Sequence, residues 1–269
     1  MRITIQDDFD LRKIADSGQC FRVREWDDDT FRFITGRDVL YLRQTGPDAL
    51  EADCPDGAWE RVWARYFDVG RDYAQVRAAI PPSDAWMRHA AEQGAGIRIL
   101  RQDAWETLVT FILSQRKRIP AIKSCVERLS ARFGERVETA CETLYAFPSV
   151  DALAAAGEPE LDGCGLGYRM PFVRAAAEAV ASGALDLAAL ERLPDEALAE
   201  RLKALYGVGD KVASCVALFA YGRTAAAPVD TWIRRLIDIE YRGENPFPAY
   251  GGAAGILQQY AFYRQLHGA

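Results

Sequence analysis

Lys211 and Asp230 are the two side chains in this sequence best set up for covalent chemistry. Lys211 lies in "LYGVGDKVASC", residues 205–215, directly after a turn bracketed by Gly207 and Gly209. It opens a run whose apolar positions, Val212, Val216 and Phe219, recur with helical spacing. A lysine attacks carbon only as the neutral amine. Apolar surroundings and the positive end of a helix dipole both disfavour the ammonium form. Asp230 lies in "PVDTWIRRLID", after Pro228 and before a second apolar-periodic run. A carboxylate there is a good helix N-cap, and it can also stabilise positive charge developing on a substrate. Local pattern alone favours the plainer side of each choice: an ordinary interhelical turn with a solvated lysine, and a cap worth ~1 kcal/mol.

Other residues have types suited to holding a base or a phosphate. Cys215 follows Lys211 by one helical turn and shares its face, although a small buried core thiol is the commoner use of cysteine. Gln258 and Phe262 stand at i, i+4 in "LQQYAFY" and face one way. A glutamine can hydrogen-bond the edge of a base while a phenylalanine stacks on its ring; the same aromatic-rich run also reads as packing, and Gln259 is the register alternative. The amides of Gly207 and Gly209, at a helix start, can face a phosphate. "QRKRIPAIK", residues 115–123, carries Arg116, Lys117, Arg118 and Lys123, a basic patch on a chain of net charge −6. That charge argues against indiscriminate nucleic-acid binding, but a local patch and helix N-termini can still dock phosphates.

The elements that must position these residues fall into two kinds. Up to about residue 90 the chain is mixed: "DDTFRFITGRDVLYLRQ" alternates as a β-hairpin with Gly36, Arg37 and Asp38 at the turn, and Trp59, Val62, Trp63 and Tyr66 have helical spacing. Pro81 and Pro82 mark a bend or boundary. Beyond about residue 96 the pattern is helical, at roughly 103–115, 118–133, 149–156, 170–182, 186–192, 195–205, 210–221, 230–240 and 251–266. The expected fold class is therefore α+β: an N-terminal antiparallel-sheet domain over residues 1–95 and an all-α domain over 96–269. The 269 residues suffice for a sizeable core. No apolar run reaches the ~18 residues of a membrane span. "MRITIQDDFD" has no signal-peptide core, so a cytoplasmic protein is expected. Six cysteines without C-x-x-C spacing and only two histidines, His89 and His267, disfavour a zinc or iron–sulfur site, and a disulfide framework is not expected.

"GVGDKVASC" followed by "PVDTW" resembles the helix-hairpin-helix plus Gly/Pro-Asp motif of base-excision DNA glycosylases, and within them the 8-oxoguanine DNA glycosylase/AP lyases. "FDLRKIADSGQCFR", "RILRQDAWETLVTFILSQ", "AFPSVDAL", "GCGLGYRMPFV" and "LQQYAFY" extend the likeness along most of the chain. The resemblance implies a helix-hairpin-helix glycosylase domain acting on double-stranded DNA that contains a damaged base, with Lys211 as nucleophile and Asp230 as catalytic aspartate. It places Gly18, Cys215, Gln258 and Phe262 at the extruded base, Gly18 offering a carbonyl to the N7 hydrogen of the lesion. It makes Tyr168 a wedge in the duplex and Arg169 a donor to the orphaned partner base. It implies no required cofactor. A monovalent cation at the hairpin, on carbonyls of Lys203, Leu205 and Val208, is a further implication, and a monomer is expected.

Three positions depart from the family pattern. Arg116 stands where the family has a gap-filling asparagine, Ala121 where it has a second arginine for the orphaned cytosine, and Trp232 where a phosphate-contacting histidine is common. Arg116 then either fills the gap with a stackable guanidinium or belongs, with Lys117 and Arg118, to a basic turn that touches phosphates. Two other functions share these features: a glycosylase for alkylated bases, which uses the aspartate and water without the lysine, and a non-catalytic helix-hairpin-helix DNA-binding module.

Overall fold

The computed structural model describes residues 1–27 and 29–268. Five strands, β1 (Arg2–Thr4), β2 (Arg24–Asp27), β3 (Thr30–Thr35), β4 (Asp38–Gln44) and β5 (Ala49–Asp53), form one sheet in the order β1-β5-β4-β3-β2. The pairs β1/β5, β2/β3 and β4/β5 are antiparallel, with Leu42 opposite Ala52 and Ile3 opposite Leu50. The expected hairpin is β3–β4, turning on Gly36 at φ +54°. Its strands are buried on both faces through Phe31–Ile34 and Val39–Leu42, so the alternation seen in sequence does not mark a wet face.

The chain groups into two compact units. The first gathers Met1–Phe33, Leu40–Arg101 and the residues from Gly222 on. It holds α1 (Leu11–Asp16), α2 (Tyr73–Ala78), α3 (Ala85–Gln93), α10 (Thr231–Glu240) and α11 (Ala254–His267). The helical spacing at Trp59, Val62, Trp63 and Tyr66 becomes a π-turn, Trp59–Trp63, that runs into a short α-turn at Ala64–Tyr66. The wider turn seats Trp63, Tyr66 and Phe67 in an aromatic core with Phe33. Arg98 is fully buried there. It donates to the carbonyls of Phe67, Asp8, Asp68 and Arg71 at 2.7–3.1 Å and pairs with Asp7 at 3.3 Å, so its charge is solvated by the fold.

The last helix, expected with the helical domain, groups with the N-terminal residues. The Gly255 amide donates to Thr224 O at 2.7 Å, the Gln259 side chain reaches Ser17, and a Cβ on Gly94 would stand 2.5 Å from the Tyr260 ring. Gly94 therefore lets the end of α3 lie against α11.

The second unit holds 34–39 and 102–221. Its helices are α4 (Ala104–Leu113), α5 (Ile119–Phe133), α6 (Val150–Ala155), α7 (Met170–Ala181), α8 (Asp195–Lys203) and α9 (Asp210–Phe219), with short turns of helix at Glu158–Leu161 and Leu187–Leu190. Asp103, Ser149 and Asp186 cap α4, α6 and the 187–190 turn through their side chains. Every residue of α4 from Trp105 to Leu113 is buried, which makes α4 the core helix of this unit. The unit is not purely helical. A two-stranded hairpin, β6 (Arg136–Glu138) and β7 (Thr143–Tyr145), follows α5. Each strand buries one residue, Val137 or Leu144, too little to leave a period in the sequence.

Candidate active site

The second unit positions the lysine. α9 starts at Asp210 with Gly209 as its N-cap, and no side chain caps it. Its buried positions, Val212, Ala213 and Cys215–Phe219, fix its roll and leave Lys211 half-buried. The Lys211 Nζ donates to Ser114 Oγ at 3.2 Å and lies 4.9 Å above the Phe111 ring, which is stacked on Phe219. Within this unit no carboxylate pairs with Lys211: the neighbouring Asp210 instead holds Lys203 at 3.1 Å. Cys215 lies one turn along the same face and is 3% exposed.

The hairpin before α9 is held from two sides. Gly207 has φ +83°, and a Cβ there would stand 2.2 Å from the Phe172 ring, so conformation and space both demand glycine. Gly209 is different: its φ is −103°, an ordinary value, and a Cβ would meet nothing within 4 Å. What Gly209 leaves is open space at the start of α9. The Gln115 side chain donates to Gly207 O at 3.1 Å and fixes the hairpin to the end of α4. Phe172 carries Tyr206 and Tyr168 edge-on, with ring centroids 4.9 and 6.1 Å away, and both tyrosines are largely exposed.

Of the basic and wedge residues, those displayed are Tyr168, 53% exposed, and Arg116 and Arg118. Arg169, expected as an open donor, is 6% exposed; it donates to the carbonyls of Gln115 and Leu166 and lies 4.3 Å over the Tyr168 ring. Lys117 is also engaged, donating to Gly165 O at 2.6 Å. Burial pushes the Cys125 thiol up, while the nearby charge of Lys117 pulls it down in part. Arg116 has φ +50°, in the left-handed region, and its guanidinium has no partner among the described residues.

The first unit positions the other groups. Asp230 caps α10, its Oδ1 accepting from the Ile233 amide at 2.9 Å. Its other oxygen accepts nothing among the described residues, and the residue is half-buried. Trp232, in the first turn of α10, is 45% exposed. Gly18, at φ +75°, follows α1 in a turn locked on both sides. Gln19 Nε2 donates to Ser17 Oγ and Arg98 O, both at 2.9 Å, and Gln19 Oε1 accepts from the Leu100 amide. Gln259 Nε2 donates to Ser17 O at 2.6 Å. The two register candidates on α11 thus separate. Gln259 is a structural tie, whereas Gln258 is 4% exposed and its buried Oε1 has no partner. Phe262, one turn on, is only half-buried.

Chemically, one unit presents an amine held without a counter-charge. The other presents a half-used carboxylate, a braced glycine turn, an amide oxygen with no partner among the described residues and a half-buried ring. Ser114 and Gln115 drew no role from the sequence. Their only signal is position, in "ILSQ" between a fully buried helix and the basic run. Among the described residues no cluster of three or more His, Cys, Asp or Glu could hold a metal ion.

The family model "8-oxoguanine DNA glycosylase, N-terminal domain" matches residues 2–108, and "HhH-GPD superfamily base excision DNA repair protein" matches residues 109–246. Among solved structures, MBOgg1 in complex with a low-affinity DNA ligand is 34% identical, with a TM-score of 0.93 over 98% of this chain and 94% of that one. The apo 8-oxoguanine glycosylase/lyase of Clostridium acetobutylicum is 32% identical, with a TM-score of 0.91 over 97% and 95%. A probable N-glycosylase/DNA lyase of Methanothermobacter thermautotrophicus is 26% identical over 208 residues; this chain spans 66% of its length, and the match covers 66% of this chain. A 3-methyladenine DNA glycosylase from Archaeoglobus fulgidus, 18% identical with a TM-score of 0.75, shares the fold alone. The chain belongs to the HhH-GPD superfamily of base excision DNA repair proteins and, within it, to the 8-oxoguanine DNA glycosylase family.

Proposed function

We propose that the chain is a bifunctional DNA glycosylase/AP lyase that excises oxidised purine, chiefly 8-oxoguanine, from duplex DNA. The observation that carries this reading is the setting of Lys211: a half-buried amine placed by one hydroxyl and one ring face and paired with no carboxylate of its unit. In this reading the Lys211 lone pair attacks C1′ of an extruded nucleotide and the base leaves with the electrons of the N-glycosidic bond. The sugar passes through an oxocarbenium-like state, which the open oxygen of Asp230 stabilises. The lysine nitrogen then loses a proton, the C1′–O4′ bond opens with a proton passing to O4′, and the Schiff base so formed permits β-elimination of the strand.

Lesion choice rests on N7, where 8-oxoguanine carries a hydrogen and guanine a lone pair. The Gly18 carbonyl accepts from the first and repels the second. Gln258 hydrogen-bonds the Watson–Crick edge, Phe262 stacks on the ring, and Cys215 packs against its other face. The amides after Gly207 and Gly209 receive a phosphate, with Arg118, Lys117 and Trp232 as further backbone contacts. Tyr168 wedges the duplex, and Arg169 exchanges its bond to Gln115 O for one to the orphaned base. No cofactor is needed for these steps. No backbone hydrogen bond among the described residues ends on the carbonyls of Lys203 or Val208, and with Leu205 O they suit a monovalent cation that would stiffen the hairpin. No helix among the described residues is long and apolar enough to cross a membrane, and the reading is of a monomer working in the cytoplasm.

Borohydride trapping tests the reading. Wild type should form a covalent adduct with an 8-oxoguanine duplex, and Lys211→Gln should not. Release of alkylated purine without nicking would favour the alkylated-base reading. Binding without base release would favour a non-catalytic module.

A further inference from the structure

We infer that Ser114 is a positioning residue for the Lys211 amine, holding it without consuming its lone pair; the inference rests on the lysine mechanism above. The direction of two hydrogen bonds carries it. Ser114 follows α4 as its C-terminal cap, and its Oγ donates to the Phe111 carbonyl at 2.8 Å. A hydroxyl has one proton, so toward Lys211, at 3.2 Å, the same oxygen can only accept. The amine is therefore gripped by one of its N–H bonds. Were the serine proton free, it would turn toward a neutral amine and occupy the electron pair that must attack carbon. The Phe111 carbonyl removes that competitor.

The grip is rigid because each part of it is anchored. Ser114 ends a helix whose residues from Trp105 on are buried and whose N-terminus is capped by Asp103, accepting from the Glu106 amide at 2.8 Å. The Phe111 ring beneath the lysine is stacked on Phe219 of α9, with centroids 5.4 Å apart and planes at 13°. Lys211 is thus restrained by one hydroxyl and one ring face, contributed by the α4 C-cap and by α4 itself. Two anchored contacts hold the end of a long, flexible side chain in place, and misplacing a reacting atom by about 1 Å costs roughly a hundredfold in rate.

The experiment compares wild type, Ser114→Ala and Ser114→Thr on an 8-oxoguanine duplex under single-turnover conditions, with duplex Kd and Tm measured in parallel. Ser114→Ala should lose about ten- to a hundredfold in the rates of base release and of borohydride-trappable adduct formation. Its Kd should stay within about twofold of wild type and its Tm within a few degrees. Ser114→Thr, which restores the hydroxyl, should recover most of the rate. An undiminished rate in Ser114→Ala overturns the inference. So does a loss that Thr fails to rescue, or one matched by loss of binding or of thermal stability. Wild type that releases no base and traps no adduct would instead remove the lysine mechanism itself.

Discussion

Gln259 Nε2 donates to the main-chain carbonyl of Ser17 at 2.6 Å, so a residue of the last helix braces the turn that presents Gly18. Its neighbour Gln258 has a buried Oε1 with no partner. The same substitution at the two positions should therefore have opposite effects. Gln259→Leu leaves the Ser17 carbonyl buried and unsatisfied, which costs about 1–3 kcal/mol and lowers Tm by several degrees. Gln258→Leu removes an orphan acceptor at nearly constant volume and should leave Tm unchanged or raised. Excision should follow the reverse order: Gln258→Leu loses at least tenfold in single-turnover rate, and Gln259→Leu much less at a temperature where it is folded. Thermal melts and excision rates on both variants check this. Equal stability losses would mean that Gln258 is an ordinary core residue.

Asp230 allows capping and the proposed catalysis to be tested apart, because only one of its oxygens accepts from the helix. Asparagine caps a helix about as well as aspartate, so Asp230→Asn should keep the bond to Ile233 N and melt within a few degrees of wild type. It removes the negative charge from the open oxygen, so base release should fall by more than a hundredfold. Asp230→Ala should lose about 1 kcal/mol of stability in addition. Activity in Asp230→Asn that merely tracks Tm would leave the residue only its cap.

The helices of this fold were legible where a cap and an apolar period coincide: α4, α6, α10 and the 187–190 turn begin one residue after Asp103, Ser149, Asp230 and Asp186. The β6–β7 hairpin was not, because one buried residue per strand makes no pattern. Nor was the grouping of α11 with the N-terminal residues, which depends on contacts such as Gln259–Ser17 between positions far apart in sequence. The candidate site shows the same division. Lys211 and Asp230 stand out by residue type and spacing. Ser114, Gln115 and the tucked state of Arg169 are set by which carbonyl each side chain reaches, and no local pattern encodes that.

The two hairpin glycines make a matched test of structure against phosphate docking. Gly207→Ala forces a side chain into φ +83° and onto the Phe172 ring, so it should cost at least 1–2 kcal/mol of stability. Gly209→Ala fits the backbone and open space, and should lose no more than about 1 kcal/mol as a poorer N-cap. In the proposed mode of binding its methyl group nevertheless stands where a phosphate would approach the α9 amides. Duplex affinity should fall about tenfold or more in Gly209→Ala with Tm nearly unchanged. Fluorescence anisotropy at fixed salt, beside thermal melts, reads both quantities. Unaltered affinity in a folded Gly209→Ala would place the phosphate elsewhere.

Arg116 occupies a left-handed backbone position that asparagine tolerates well and arginine does not. The turn around it is clamped. The Gln115 carbonyl accepts from Tyr168 and Arg169, the Lys117 amide donates to Ser114 O at 3.2 Å, and the Lys117 side chain holds Gly165 O. The Arg116 guanidinium is exposed and has no partner among the described residues, so in the proposed reading it is free to reach DNA. Arg116→Asn should relieve the strain and raise Tm by a degree or two, while changing the relative rates of excision opposite C, T, G and A. Arg116→Ala should alter those ratios without that gain in stability. A residue that only touches phosphates would lower all four rates together and flatten the salt dependence of binding. Four rates measured on wild type and both variants decide between gap filling and phosphate contact, and unchanged ratios rule out a role for Arg116 in reading the opposite base.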